Sequence, residues 1–252
     1  EATSVGSRMR DQKGRPVVVI TGVVLVTSLG VAANACWKRL VAGQSGVKPI
    51  TRFSTEGLRT TIAGTVDDLD ITPPSAHDLS LAMAEVAASE AVAQAGIGRV
   101  AHFPGPLIVA TPPSELEWPH LNRLYETDPG GELTGYRRLL ANAHTGAFAD
   151  LARHVRVASI ADRLQERFGT QGEPLSVCTA CASGATTIQR GLEAIRRGET
   201  EAALCIGTDA TVHPEGLIRF SLLSALSTAN DNPRKASKPF SKRRDGFVIA
   251  EG

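Results

Sequence analysis

A chain of 252 residues with 42% hydrophobic but only 4% aromatic content is long enough for one large globular domain packed with small side chains, which excludes a coiled coil or a disordered polypeptide. Its 27 Lys and Arg against 26 Asp and Glu leave a net charge of +1, so the charge balance points to neither nucleic acid nor an anionic membrane. The four cysteines at 36, 178, 181 and 205 form no disulfide framework and read as reduced thiols in a reducing, cytoplasmic setting.

Residues 1–15 are polar and unpatterned and read as a disordered arm or as residues foreign to the natural protein; one domain is expected over 16–252. The apolar run from Val17 to Cys36 follows Arg8, Arg10, Lys13 and Arg15 and so imitates a secretory signal. Thr21, Gly22, Thr27, Ser28 and Gly30 interrupt it, it is too polar to span a bilayer, and its front end predicts a buried strand over 17–21. A helix is predicted over 32–42, stopped by Gly43, and loop or short strands over 52–66. Residues 77–95 have helical spacing with Gly96 as the stop, and 107–111 form a second strand. Four prolines and Gly130-Gly131 make 112–143 a surface excursion with short helices. A helical region over 146–168 breaks near Val157. A strand over 175–179, a helix over 183–197, a strand over 202–207, a helix over 214–226 and the start of a strand over 246–250 complete the chain. This rhythm predicts an α/β protein with a mostly parallel sheet and helices on both faces. The basic residues Arg234, Lys235, Lys238, Lys242, Arg243 and Arg244 read as a solvated loop, with an acidic partner as the second reading.

The most informative segment is VCTACASG, residues 177–184, where a strand runs straight into a helix. A helix start presents unpaired N–H groups and partial positive charge, which favour a thiolate over a thiol. Cys181 stands at that turn, and the tiny residues Ala182, Ser183, Gly184 and Ala185 let a bulky thioester approach, the logic of a nucleophile elbow. Ile188, Leu192 and Ile195 are expected to form the buried face of the helix behind it. A C-x-x-C redox pair is the competing reading, though Cys178 then falls inside the strand and no Pro separates the two cysteines. A zinc site lacks a second ligand pair, so neither a metal nor a cofactor is expected. Cys36, Cys178 and Cys205 read as buried, inert thiols.

VCTACASGATTIQRGLEAIRRGETEAALCIGTDA, followed by LSALSTANDNPRKASKPFSKRRDGFVIAEG, resembles the β-ketoacyl-acyl-carrier-protein synthases of the elongating type. The resemblance extends from about residue 17, and its three motifs occur in the expected order. It implies a thiolase-like fold, in which two similar α/β halves stack as five αβαβα layers and this chain covers about the first half. It makes Cys181 the acyl-carrying nucleophile, with Ala182, Ser183 and Phe220 beside the substrate; for Phe220, ordinary helix core is an equal reading. The implied reaction is decarboxylative Claisen condensation of an acyl thioester on Cys181 with malonyl-acyl-carrier protein. The implied partners are the carrier protein and a second copy of the chain, with no nucleic acid and no membrane. A noncatalytic, chain-length-setting dimer partner is the alternative, which the retained Cys181 argues against.

The sequence also departs from that pattern. The family's two catalytic histidines, a lysine and a glycine-rich loop belong to the second half, and His77, His102, His120, His144, His154 and His213 match none of those motifs, so each reads as surface or structural. Val24 replaces a usual glycine, Ser224 replaces a frequent arginine, and TPPSELEWPH lacks a small-residue loop, all of which point to an unusual acyl pocket.

Overall fold

The computed structural model describes residues 9–69, 71, 75–113, 115–127, 130 and 132–252. Two short antiparallel hairpins come first, β1 (Val26–Thr27) with β2 (Gly30–Val31), and β3 (Lys48–Pro49) with β4 (Ile62–Ala63). Between them lies α1 (Ala33–Val41). The long α2 (Ala76–Ala95) starts where the Ser75 hydroxyl accepts the Asp78 N–H at 3.0 Å and stops where Gly96 adopts φ +63°. Then follow β5 (Leu107–Ala110), α3 (Trp118–Glu126), α4 (Gly135–His144), a short α5 (Ala152–Val155) and α6 (Ser159–Phe168). The chain closes with β6 (Leu175–Val177), α7 (Ser183–Arg197), β7 (Leu204–Gly207) and α8 (Pro214–Leu222).

Strands β6, β5 and β7 form a parallel sheet in that order, with Ala110 opposite Val177 on one side and Gly207 on the other. Alternation along the strands decides what each face meets. Leu107 and Val109 of β5, with Leu204 and Ile206 of β7, pack on Ala84, Ala88 and Val92 of α2 and on Ile160, Leu164 and Phe168 of α6. Ile108 and Cys205 point the other way, toward α7, where a Cβ on Gly191 would lie 2.6 Å from the Cys205 sulfur. Helices therefore cover both faces, as the strand and helix rhythm predicts, and a missing side chain at Gly191 lets α7 lie directly on the sheet.

Two smaller cores flank this unit. One gathers Ile50, Ala63, Val212, Leu217, Leu226 and Ile249, the other Val26, Val66, Leu79, Met83 and Ala210. Glu251 ties them together: its buried carboxylate takes both Arg52 amino groups at 2.7 and 3.0 Å and the Val66 N–H at 2.8 Å. Burial pushes this carboxyl up, and the Arg52 and Val66 hydrogen bonds oppose the shift.

Several expectations change, among them the helix expected over 214–226, which ends at Leu222. Residues 17–21 form no strand: the Val17 N–H goes to the Met9 carbonyl, the Val23 N–H goes to the Gln94 side chain, and Val17, Val19 and Ile20 are exposed. A strand needs a neighbour to take its backbone groups, and apolar composition does not supply one. The expected strand at 246–250 is reduced to isolated bridges, Leu226 with Phe247 and Gly64 with Ala250. The buried face of α7 is Thr187, Gly191 and Ala194, while Ile188 is 57% exposed, because close approach to the sheet selects the small side chains. Cys178 is exposed, because β6 ends one residue before it. Residues 9–15 make a turn in which Asp11 accepts from the Lys13 and Arg15 backbone; residues 1–8 lie outside the described residues.

Candidate active site

The elbow expected at Cys181 is present. After β6 the chain makes a 3-10 turn, Ala180–Ala182, and enters α7 at Ser183. Ala180 takes φ +51°, a left-handed conformation that costs a non-glycine residue about 1 kcal/mol or more. The Ser183 hydroxyl holds the bend by accepting the Thr179 N–H at 2.8 Å and donating to the Ala180 carbonyl at 2.6 Å. Thr186 donates to the Ala182 carbonyl at 2.9 Å. The Cys181 side chain is thus exposed in the 3-10 turn directly ahead of a 15-residue helix anchored on the sheet. Ser183 spends its hydroxyl on the backbone, so its part is to shape the elbow; Ala182 is exposed beside the thiol.

The other cysteines divide. Cys36 is buried, its sulfur 3.1 Å from the Gly30 carbonyl. Burial pushes the Cys205 thiol up to about 11, which keeps it protonated and inert. Among the described residues no three of His, Cys, Asp or Glu stand together as metal ligands.

Phe220 lies on α8 and is half-buried against the second core, edge-on to Phe247 with ring centroids 5.4 Å apart. Beside it, Ser221, Ser224, Leu226, Thr228 and Asp245 line a recess of about 260 Å³, with Ser224 at φ +51°.

Sequence reading missed one constellation. His77, His120, His154 and His213 converge, although no spacing in the chain relates them. His154 is buried, with its ring 5.2 Å from that of His77 and 4.1 Å from that of His120. Arg153 Nε donates to His154 Nε2 at 3.2 Å, so that nitrogen carries no proton and the ring is the Nδ1–H tautomer. His154 Nδ1 is buried without a partner. Burial, with His120 and His77 adding to it, pushes His154 down to about 4, while the His77 hydrogen bond takes Asp78 down to about 2. His213 Nδ1 lies 2.9 Å from Glu215 Oε2, and its Nε2 lies 3.4 Å from Glu115 Oε1. His77, His154 and His213 line a cavity of about 30 Å³, room for a few waters at most.

Fold and site together define a parallel α/β protein that presents a thiol at a strand-to-helix elbow. The chain belongs to the β-ketoacyl synthase family: residues 15–252 match the family model described as "Beta-ketoacyl synthase, N-terminal domain". It is 32% identical over 243 residues to the 3-oxoacyl-acyl-carrier-protein synthase 2 of Coxiella burnetii, covering 93% of this chain and 56% of that protein. It is also 32% identical over 241 residues to the tetracenomycin polyketide synthase ketoacyl synthase alpha subunit of Streptomyces glaucescens, covering 93% and 55%. Among solved structures it is similar to the ishigamide ketosynthase/chain length factor, with a TM-score of 0.67 at 28% identity over 93% of this chain and 56% of that one. A type II polyketide acyl-carrier protein in complex with its ketosynthase matches with a TM-score of 0.70 at 25% identity, over 92% and 56%. The chain therefore spans a little over half the length of these relatives, and its fold is the N-terminal half of the thiolase-like ketosynthase architecture.

Proposed function

We propose that this chain forms the acyl-accepting part of a β-ketoacyl-acyl-carrier-protein synthase, in a domain over 16–252, with Cys181 as nucleophile. The observation that carries this reading is the exposed Cys181 in the 3-10 turn that leads into α7, on an elbow held by Ser183. The thiolate attacks the carbonyl of an acyl thioester, the carrier's sulfur leaves and takes up a proton, and the acyl chain rests on Cys181. Malonyl-carrier then loses carbon dioxide. Its enolate carbon attacks the acyl carbonyl, the bond to the Cys181 sulfur breaks, and a β-ketoacyl-carrier is released. Both attacks build charge on a thioester oxygen, and a backbone N–H donor at the elbow is worth about 3 to 4 kcal/mol there. Histidines that assist decarboxylation are assigned to the part of the relatives that this chain does not span. Phe220 and Ala182 are proposed to border the acyl chain, the carrier protein and a second copy of the chain to be partners, and the setting to be cytoplasmic. No helix among the described residues is long and apolar enough to cross a membrane.

A second reading, a noncatalytic chain-length-setting partner, is favoured by the similarity to a ketosynthase/chain length factor and opposed by the retained Cys181. Incubation with an acyl-carrier thioester followed by peptide mass mapping separates them. Acylation at Cys181, with Cys36 and Cys205 unmodified, is the expected result; no acylation at Cys181 under conditions where iodoacetamide labels it sinks the catalytic reading. A ready Cys178–Cys181 disulfide without acylation favours the redox reading instead.

A further inference from the structure

The belt from Glu115 to Val155, which carries α3, α4 and α5, gives none of its described residues to any of the three hydrophobic cores. Its own buried apolar side chains are Leu124 and Leu151. Polar contacts fasten it to the body. The buried Glu117 carboxylate accepts the Ala76 N–H at 2.7 Å, the Trp118 N–H donates to Glu215, and Arg153 reaches Asp78 at 3.3 Å. His154 is the deepest of these fastenings, wedged between His120 of the belt and His77 of α2.

That wedge accepts only one protonation state. A proton on Nε2 would point at the Arg153 guanidinium, which already donates there, and the charge would sit against the rings of His77 and His120. The groups facing it are His77 and Asp78 from α2, His120 from the start of the belt and Arg153 from α5, with Glu115 and His213 across the shared cavity and Glu117 beside His120. The carboxylate that acts on it, Asp78, is already engaged by His77 and Arg153.

We propose that His154 is an acid-released latch, which holds the Glu115–Val155 belt against α2 while neutral and frees it when protonated. The belt follows directly from the C-terminal end of β5, the sheet edge at which β6 leads into the Cys181 elbow, so its release loosens the rim of that edge. The sign follows from linkage. His154 titrates near 4 in the closed protein against 6.5 when free, so the open belt binds the proton more readily. Closure is complete above pH 6.5, weakens as pH falls below it and levels off below about 4.

Amide hydrogen exchange of the 252-residue chain, read by mass spectrometry and corrected for intrinsic rates, tests this at about pH 7 and about pH 5. Two protonation constants near 4 and 6.5 predict about a 20-fold loss of protection across α3, α4 and α5. Strands β5 to β7 and helix α7 should hold theirs. The variant H154Q keeps a hydrogen-bonding side chain that does not titrate and should show no such loss. R153Q removes the cation that disfavours protonation and should move the midpoint to higher pH. Unchanged protection of the belt in the parent protein, or an equal loss in H154Q, overturns the latch; should H154Q fail to fold, an unmoved midpoint in R153Q overturns it instead.

Discussion

The β5–β6–β7 unit and the Glu115–Val155 belt are held by opposite means. In the first, Leu107, Val109, Leu164 and Phe168 are wholly buried, and no ionisable side chain enters the cluster. In the second, histidines and carboxylates make the attachment. Apolar burial is indifferent to pH and supports a fixed elbow; polar attachment is conditional on protonation, and such regions sit at the low-stability end of a fold. The protein therefore places the Cys181 elbow on the part held by apolar burial and its titratable contacts on the belt.

The largest effect that would sharpen this contrast is chemical. Cys181→Ala should abolish acylation by a thioester donor while leaving the thermal midpoint within a degree or so, because the side chain is exposed and touches no core. Next comes Leu164→Ala in the rigid unit, which should cost about 2 to 5 kcal/mol in denaturant unfolding. Glu251→Ala should cost about 3 kcal/mol by the same measurement, because it leaves Arg52 without its buried partner. Gly191→Val should cost about 1 to 3 kcal/mol and lower the rate of Cys181 acylation, since the new side chain pushes α7 off Cys205. A Gly191→Val protein with unaltered acylation would break the claim that the helix seat positions the thiol. The smallest effect belongs to the α2 residue that Arg153 of the belt grips. Asp78→Asn should cost about 1 to 2 kcal/mol at neutral pH, after allowance for its partial exposure. Its folded carboxyl titrates near 2 against 3.8 unfolded, so that stability is present above pH 3.8 and lost as pH falls toward 2, where parent and variant should converge in a pH series of chemical melts.

Much of the rigid unit was legible in the sequence. The α2 span is right to one residue because Ser75 and Gly96 are chemical stops, and β5 and β7 read correctly because a continuous apolar run between turns is what a doubly covered parallel strand requires. The elbow was legible for the same local reason: a strand, a cysteine and four tiny residues leave few other paths for the backbone. Residues 17–21 misled because apolar composition says nothing about whether a neighbouring strand is there to pair. The face of α7 misled because hydrophobicity was taken as the rule, whereas a helix seated on a sheet buries its smallest residues.

What the sequence by itself determined is the family and the strand-to-helix elbow at Cys181, since both rest on contiguous motifs whose local geometry follows from the residues in them. Only the tertiary structure decided the exposure of Cys178, the seat of Gly191 on Cys205, and the meeting of His77, His120, His154 and His213. Those facts depend on contacts between segments up to 136 positions apart in the chain, from 77 to 213, and no local rule of propensity or spacing carries information across such a distance.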